Sequence, residues 1–219
     1  MNRQLPLRFK LEDHVSLDDY VGSTSTRLLE LKNLVILYGD AGSGKSHLLQ
    51  GLCNQVVRSS GSAFYLPMSS SLKPSILQGL EDSDLVCLDD IDNILQTSSW
   101  QTALFHLINA CGDNGVKLVL SSSQPVISIL IELPDLLSRL KSAYFLSTGQ
   151  LSDTEKLEVL RVKAQRRGFE MGSDVCSFIL SRSPRDMHYL VRLVERLDEA
   201  TLSRQKKVTI PFVKRTLGL

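Results

Sequence analysis

Short apolar runs alternate with stretches of helical period from residue 33 to residue 148. Five of the runs read as strands: 34–38 (Leu-Val-Ile-Leu-Tyr), 62–68 (Ser-Ala-Phe-Tyr-Leu-Pro-Met), 84–89 (Asp-Leu-Val-Cys-Leu-Asp), 117–122 (Lys-Leu-Val-Leu-Ser-Ser) and 142–147 (Ser-Ala-Tyr-Phe-Leu-Ser). Several are continuously apolar, as strands covered on both faces must be. The helical period is clearest at 99–111, from Ser99 and Trp100 to Cys111. Strand and helix in alternation predict an α/β fold, a five-stranded parallel sheet in a doubly wound αβα sandwich. In such a sheet ligands bind at the carboxyl ends of the strands.

After residue 150 the strand signal stops. Ser152-Asp153-Thr154-Glu155 reads as a capping box, with Ser152 at the N-cap and Glu155 three residues on. The helix it opens carries Leu157, Leu160, Val162 and Ala164 and stops at Gly168. A second helix is expected over 173–182. A third is expected to open with Ser183-Pro184, proline suiting the first helical position, and to carry Leu190, Leu193, Val194 and Leu197 on one stripe. A short last helix begins at Pro211. The pattern predicts an N-terminal tail over 1–14, an αβα nucleotide-binding domain over 15–150 and a small helical domain over 151–219.

The chemistry concentrates where the first strand ends. Gly39, Asp40, Ala41, Gly42, Ser43, Gly44, Lys45 and Ser46 fit G-x-x-x-x-G-K-[ST] at every fixed position, after an apolar strand and before a helix. Glycines let successive backbone N–H groups turn inward around phosphate oxygens, and the helix presents its positive N-terminus to them. Lys45 can reach the β- and γ-phosphates and the Ser46 hydroxyl can ligate Mg²⁺. The run Leu85-Val86-Cys87-Leu88-Asp89-Asp90 ends a later strand in two carboxylates. Asp89 is suited to the Mg²⁺ shell and Asp90 to orienting or deprotonating water. Asp92 reads as a helix-cap or solvent residue. Ser122 and Ser123 end the next strand and face either the γ-phosphate or a plain turn before Pro125. Taken alone, Arg139 reads as a surface salt bridge. Arg185 is expected in the first turn of a helix, either solvated or folded over phosphates.

Composition narrows the setting. With 42% apolar and 22% charged residues the chain is ordinary globular material. No apolar run approaches the roughly 20 residues that span a membrane. Met1–Leu7 has no core for a signal peptide. Cys53, Cys87, Cys111 and Cys176 are too scattered for a metal site and read as buried reduced thiols. A cytoplasmic protein with no membrane partner is expected. Residues 1–150 carry 11 Lys and Arg against 15 Asp and Glu, and residues 151–219 carry 14 against 9. The basic second half reads as a solvated helical face, with any DNA contact weak or indirect.

The order of phosphate loop, Asp-Asp strand end, polar strand end, Ser138-Arg139-Leu140 and an arginine-bearing helical lid resembles the AAA+ ATPases. Within them it resembles the clade of the bacterial replication initiator DnaA. Leu17-Asp18-Asp19-Tyr20-Val21-Gly22-Ser23 looks like that clade's lead-in segment, which implies Tyr20 and Val21 near an adenine. Gly44-Lys45-Ser46-His47-Leu48-Leu49 resembles its phosphate-loop extension and adds His47 to the nucleotide site. By the same resemblance Ser123 or Ser122 is sensor 1, Arg139 is an arginine finger acting in trans, and Arg185 is sensor 2. The bound cofactor is then ADP or ATP with Mg²⁺, ADP in the active form.

The chain shows no helix-turn-helix domain after the lid and no long N-terminal domain, so origin recognition is not expected. Its Thr209-Ile210-Pro211-Phe212-Val213-Lys214 stretch resembles the end of the lid in the Hda-type regulatory inactivators of DnaA. Gln4-Leu5-Pro6-Leu7-Arg8-Phe9 resembles peptides that dock on the replication sliding clamp. Leu5, Leu7 and Phe9 would supply apolar anchors and Gln4 an amide at the pocket rim, on an extended backbone that Pro6 favours. The resemblance implies a nucleoid- or replisome-associated regulator of initiation. Its partners are the ATP form of the DnaA initiator and the DNA polymerase III sliding clamp (beta subunit), with self-association. Intrinsic ATPase activity is expected to be weak or absent. A DnaC-type helicase loader or another DnaA-like AAA+ adaptor is the alternative with the same core, and a clamp-loader subunit is a further rival that would normally carry a third, collar-forming domain. A small nucleotide kinase is disfavoured, because residues 69–82 offer only Lys73 to an acceptor phosphate.

Overall fold

A computed structural model describes residues 15–201 and 207–219. The expected clamp-docking residues Gln4, Leu5, Leu7 and Phe9 lie outside the described residues. The described chain divides into two compact units. One comprises residues 15–17 and Ser23–Thr148; the other comprises Asp18–Gly22 and Gly149–Leu219.

The first unit is the expected α/β layer structure. Its strands are β1 (Leu34–Tyr38), β2 (Ala63–Pro67), β3 (Leu85–Asp89), β4 (Lys117–Ser122) and β5 (Tyr144–Ser147). They form one sheet in the order β2-β3-β4-β1-β5, every pair parallel. The main helices are α1 (Thr24–Glu30), α2 (Lys45–Arg58), α3 (Ser98–Asn114) and α4 (Pro134–Lys141).

The period of two along each strand sorts side chains between the faces. Ile36, Val86, Leu88, Leu118 and Leu120 share one buried cluster with Trp100, Leu104, Leu107 and Cys111 of α3 and Leu136 and Leu140 of α4. The alternate residues face the other way: Cys87 of β3 meets Cys53 of α2, and burial raises its thiol well above the usual range. With helices on both faces, β3 is buried along its whole length. That explains its unbroken apolar run. Leu88 pairs with Leu120 in the register, so Asp89 and Ser121 stand side by side on the α2 face at the carboxyl ends. Tyr65 pairs with Cys87 and Pro67 with Asp89, so the Tyr65 side chain points to that face too.

The second unit packs α5 (Asp153–Arg166), α6 (Ser173–Arg182), α7 (Met187–Thr201) and α8 (Ile210–Leu217) around its own core of Leu160, Ile179, Leu190, Val194, Leu197 and Val213. The Ser152–Glu155 capping box forms as expected. Two expectations are corrected. The strand signal does not stop at residue 150, because β6 (Glu170–Met171) and β7 (Lys207–Val208) form a short parallel pair. Two residues are too few to leave a period in the sequence.

The third helix does not open at Ser183-Pro184 either. Ser183 is extended, as a residue before proline prefers to be, and so ends α6. Asp186 then opens α7, its carboxylate accepting the Tyr189 N–H at 2.8 Å. All four cysteines are free and buried, and among the described residues no helix is long and apolar enough to cross a membrane.

Candidate nucleotide-binding site

The loop between β1 and α2 turns where glycine allows it: Gly42 and Gly44 have φ of 77° and 91°, in the left-handed region that costs other residues about 1–2 kcal/mol. Gly39 serves a different need. A Cβ there would collide with Thr148 Oγ1 and press on Ser43 Oγ at 3.0 Å. Those two hydroxyls are themselves hydrogen-bonded at 2.6 Å, tying the loop to the residue that follows β5. The loop is further held by the Gly39 N–H, which donates to the Ser122 carbonyl at 3.3 Å. Gly44 is the N-cap of α2, so the helix begins at Lys45 with its first N–H groups open towards the loop. His47 Nε2 lies 2.9 Å from the Ser16 carbonyl oxygen, which anchors that first turn to the lead-in segment.

Lys45 is buried and its ammonium donates to the carbonyls of Gly39 at 2.7 Å and Asp40 at 3.1 Å. It is held across the loop by neutral acceptors in bonds already charge-assisted by the ammonium, and phosphate oxygens in their place would add the attraction of opposite charges.

Asp89 is buried, and both of its oxygens accept hydroxyls: Oδ1 from Ser121 and Oδ2 from Tyr65 at 2.7 Å. Ser121 in turn accepts the Asp90 N–H at 2.8 Å. Burial first, then the Asp89 charge and the hydrogen bond to it, push the Tyr65 phenol well above its usual range. Hydrogen bonds from Ser46 and Gln50 oppose that shift. Asp90 leaves the strand in the left-handed region at φ 56°, which Asp tolerates better than most residues and which turns the chain sharply away from β3. Asp92 corrects the solvent reading, since its carboxylate accepts both the Ser123 hydroxyl and, at 3.4 Å, the Ser123 N–H. Ser122 is buried and its hydroxyl accepts the Gln124 N–H at 3.3 Å.

Thus the fold brings Gly39, Lys45, Ser46, Asp89 and Asp90 to one end of the sheet, with Ser122 at the end of the adjacent β4 and Ser123 just after it. Ser46 and Asp89 make an oxygen donor set that fits a hard cation such as Mg²⁺. Among the described residues no group of His, Cys, Asp and Glu could hold a metal alone. A cation there would draw most of its shell from phosphate and water. Tyr65, Ser121 and Thr148 were missed by sequence reasoning. Their only signal was hydroxyl groups within or just after predicted strands.

Arg139 lies elsewhere on the first unit, exposed on α4 beside a cleft of about 490 Å³ that also reaches Asn33, Asn109, Asp113 and Tyr144. Among the described residues it has no ion pair, so the expected surface salt bridge is not formed. Tyr20, Val21 and Arg185 belong to the second unit. Arg185 is not in a helical first turn but precedes the Asp186 cap, and it pairs with Asp153 at 2.9 Å.

A phosphate loop after β1, an acid-tipped β3 and the strand order β2-β3-β4-β1-β5 define a nucleotide-site α/β protein of the AAA+ class. The family model of the bacterial DnaA ATPase domain matches residues 24–148, and that of the Hda lid domain matches residues 153–217. The chain belongs to the DnaA clade of AAA+ proteins and is Hda-like within it. An uncharacterised protein of Haemophilus influenzae is 36% identical over 231 residues, covering 100% of both chains. Among solved structures, domain III of the replication initiation protein DnaA from Thermotoga maritima matches with a TM-score of 0.79 at 20% identity, over 95% of this chain and 98% of that one. AMPPCP-bound DnaA from Aquifex aeolicus gives 0.68 at 20% identity, over 89% and 69%. RuvB from Thermotoga maritima gives 0.69 at 20% identity, over 93% and 71%.

Proposed function

We propose that the chain is a regulator of replication initiation, which holds a nucleoside di- or triphosphate in its own phosphate loop and stimulates hydrolysis of the ATP bound to DnaA. The observation that carries this reading is Arg139. An exposed guanidinium without an ion pair among the described residues, on a core of the DnaA type, is a cation ready for an anion on another molecule. Placed against the γ-phosphate held by DnaA, it would stabilise the charge that develops there, an effect worth roughly 10³–10⁵ in rate for arginine fingers. Residues 4–9 tether the regulator to the DNA-loaded sliding clamp, and the tether supplies effective concentration, so neither contact need be tight alone.

In the protein's own site Lys45, the loop amides and the helix start bind phosphates. Ser46 and Asp89 are the residues that would hold Mg²⁺, a cation that neutralises charge on bound phosphate oxygens. Asp90 and Ser123 complete the water-facing edge. With the finger offered outward, turnover in this site is slow by itself. The test follows labelled ATP pre-bound to DnaA, with the protein added in the presence and absence of clamp loaded on DNA. Stimulation that needs loaded clamp and vanishes in Gln4→Ala/Leu7→Ala supports the reading. Absence of stimulation with either nucleotide removes it and turns attention to helicase binding.

A further inference from the structure

Tyr65 stands between the two halves of the nucleotide site. Its phenol donates to Asp89 Oδ2 at 2.7 Å, and the side chains of Ser46 and Gln50 on α2 lie close by. Ser46 and Asp89 are the two residues that would share a cation. Asp89 Oδ1 is already taken by Ser121. Both carboxylate oxygens thus have a protein donor, and hydroxyls of the fold itself solvate the charge of Asp89. A carboxylate with two committed oxygens still has lone pairs left. A hydrated cation that reaches Asp89 must nevertheless compete with the phenol for the side facing Ser46. The phenol also has somewhere else to turn. The Gln50 carboxamide touches it, and Gln50 Oε1 is buried without a donor among the described residues.

We propose that Tyr65 is a positioning residue that spans the Ser46–Asp89 gap in place of a hydrated divalent cation, so that the protein holds a nucleoside diphosphate with little dependence on Mg²⁺. The inference rests on the nucleotide-site reading above and adds the metal economy of that site. In the bridged state Tyr65 fixes Asp89 and the start of α2, leaving the loop amides and Lys45 to carry the diphosphate. When a cation does enter, the phenol gives up Asp89 and passes its hydrogen bond to Gln50. Metal binding is then a competition with an internal donor.

The test compares wild type with Tyr65→Phe, which keeps the ring and removes the hydroxyl. ADP affinity is measured by calorimetry in Mg²⁺ and in EDTA. Mn²⁺ binding to the ADP complex is measured by electron paramagnetic resonance. The wild type is expected to bind ADP nearly equally with and without metal. In Tyr65→Phe, Mn²⁺ should bind about tenfold more tightly, the worth of one hydrogen bond to a charged group, and ADP should become metal-dependent. Equal Mn²⁺ affinity in the two proteins, or weaker affinity in the variant, overturns the proposal. So does a wild type that loses ADP in EDTA. Failure of both proteins to bind ADP under either condition removes the nucleotide-site reading itself, a distinguishable result. Should Tyr65→Phe unfold, Tyr65→Leu in the same two measurements replaces it.

Discussion

At the scale of single residues the site is a set of polar groups each held by a named partner. Lys45 bonds two loop carbonyls, and on the proposed reading phosphate oxygens take their place. Lys45→Ala should therefore weaken ADP binding by about tenfold to a hundredfold, corresponding to roughly 1.5–3 kcal/mol for a charge-assisted hydrogen bond. Titration of a fluorescent ADP analogue reads this directly, and an unchanged affinity would mean that the lysine stays on the carbonyls. Gly39→Ala drives a methyl into the Thr148–Ser43 hydroxyl pair. An overpacked contact of this kind costs about 1–3 kcal/mol, to be seen as a lower urea midpoint together with weaker ADP binding.

The motif residues were legible because phosphate chemistry fixes both type and spacing. Tyr65 and Ser121 were not. Their role depends on inter-strand register, which brings residues 24 and 32 positions from Asp89 to its two oxygens. Arg139 shows the opposite limit. Its residue type favoured a salt bridge, and the fold shows it without one among the described residues.

At the scale of elements, strand alternation and caps decide most of what is seen. The buried strands β1 and β4 fall on the residues that their apolar runs predict, because burial on both faces leaves little choice of residue. The start of α7 was misread. Pro184 suits a helix start, but Ser183 is extended before it and the Asp186 carboxylate supplies the cap that proline cannot. Asp186→Ala should cost the second unit about 1 kcal/mol, measured by chemical unfolding, whereas Ser183→Ala should cost little.

The capping box of α5 adds a pH dependence. The Ser152 N–H and hydroxyl both donate to Glu155 at 2.8 Å and hold its carboxyl below the ordinary glutamate value. The contribution is complete above the unfolded-state pKa and is lost as pH falls through the depressed folded one. Glu155→Gln should flatten the acid limb of the unfolding midpoint against pH and leave its course above pH 6 unchanged in shape.

At the scale of the molecule, two units with separate cores divide the chain where the sequence turns from strand–helix alternation to helices. The first carries the phosphate loop and Arg139; the second carries the surplus of basic residues. On the proposed reading the protein's own nucleotide site and the arginine offered to another nucleotide are separate devices on the same unit, and a variant can remove one without the other. The most direct measurement is single-turnover hydrolysis of labelled ATP on DnaA, with loaded clamp, by wild type and by Arg139→Ala. The account predicts a loss of stimulation of roughly 10³-fold or more, to the unstimulated rate, while clamp binding and ADP binding by the variant remain at wild-type levels. Full stimulation by Arg139→Ala would contradict it.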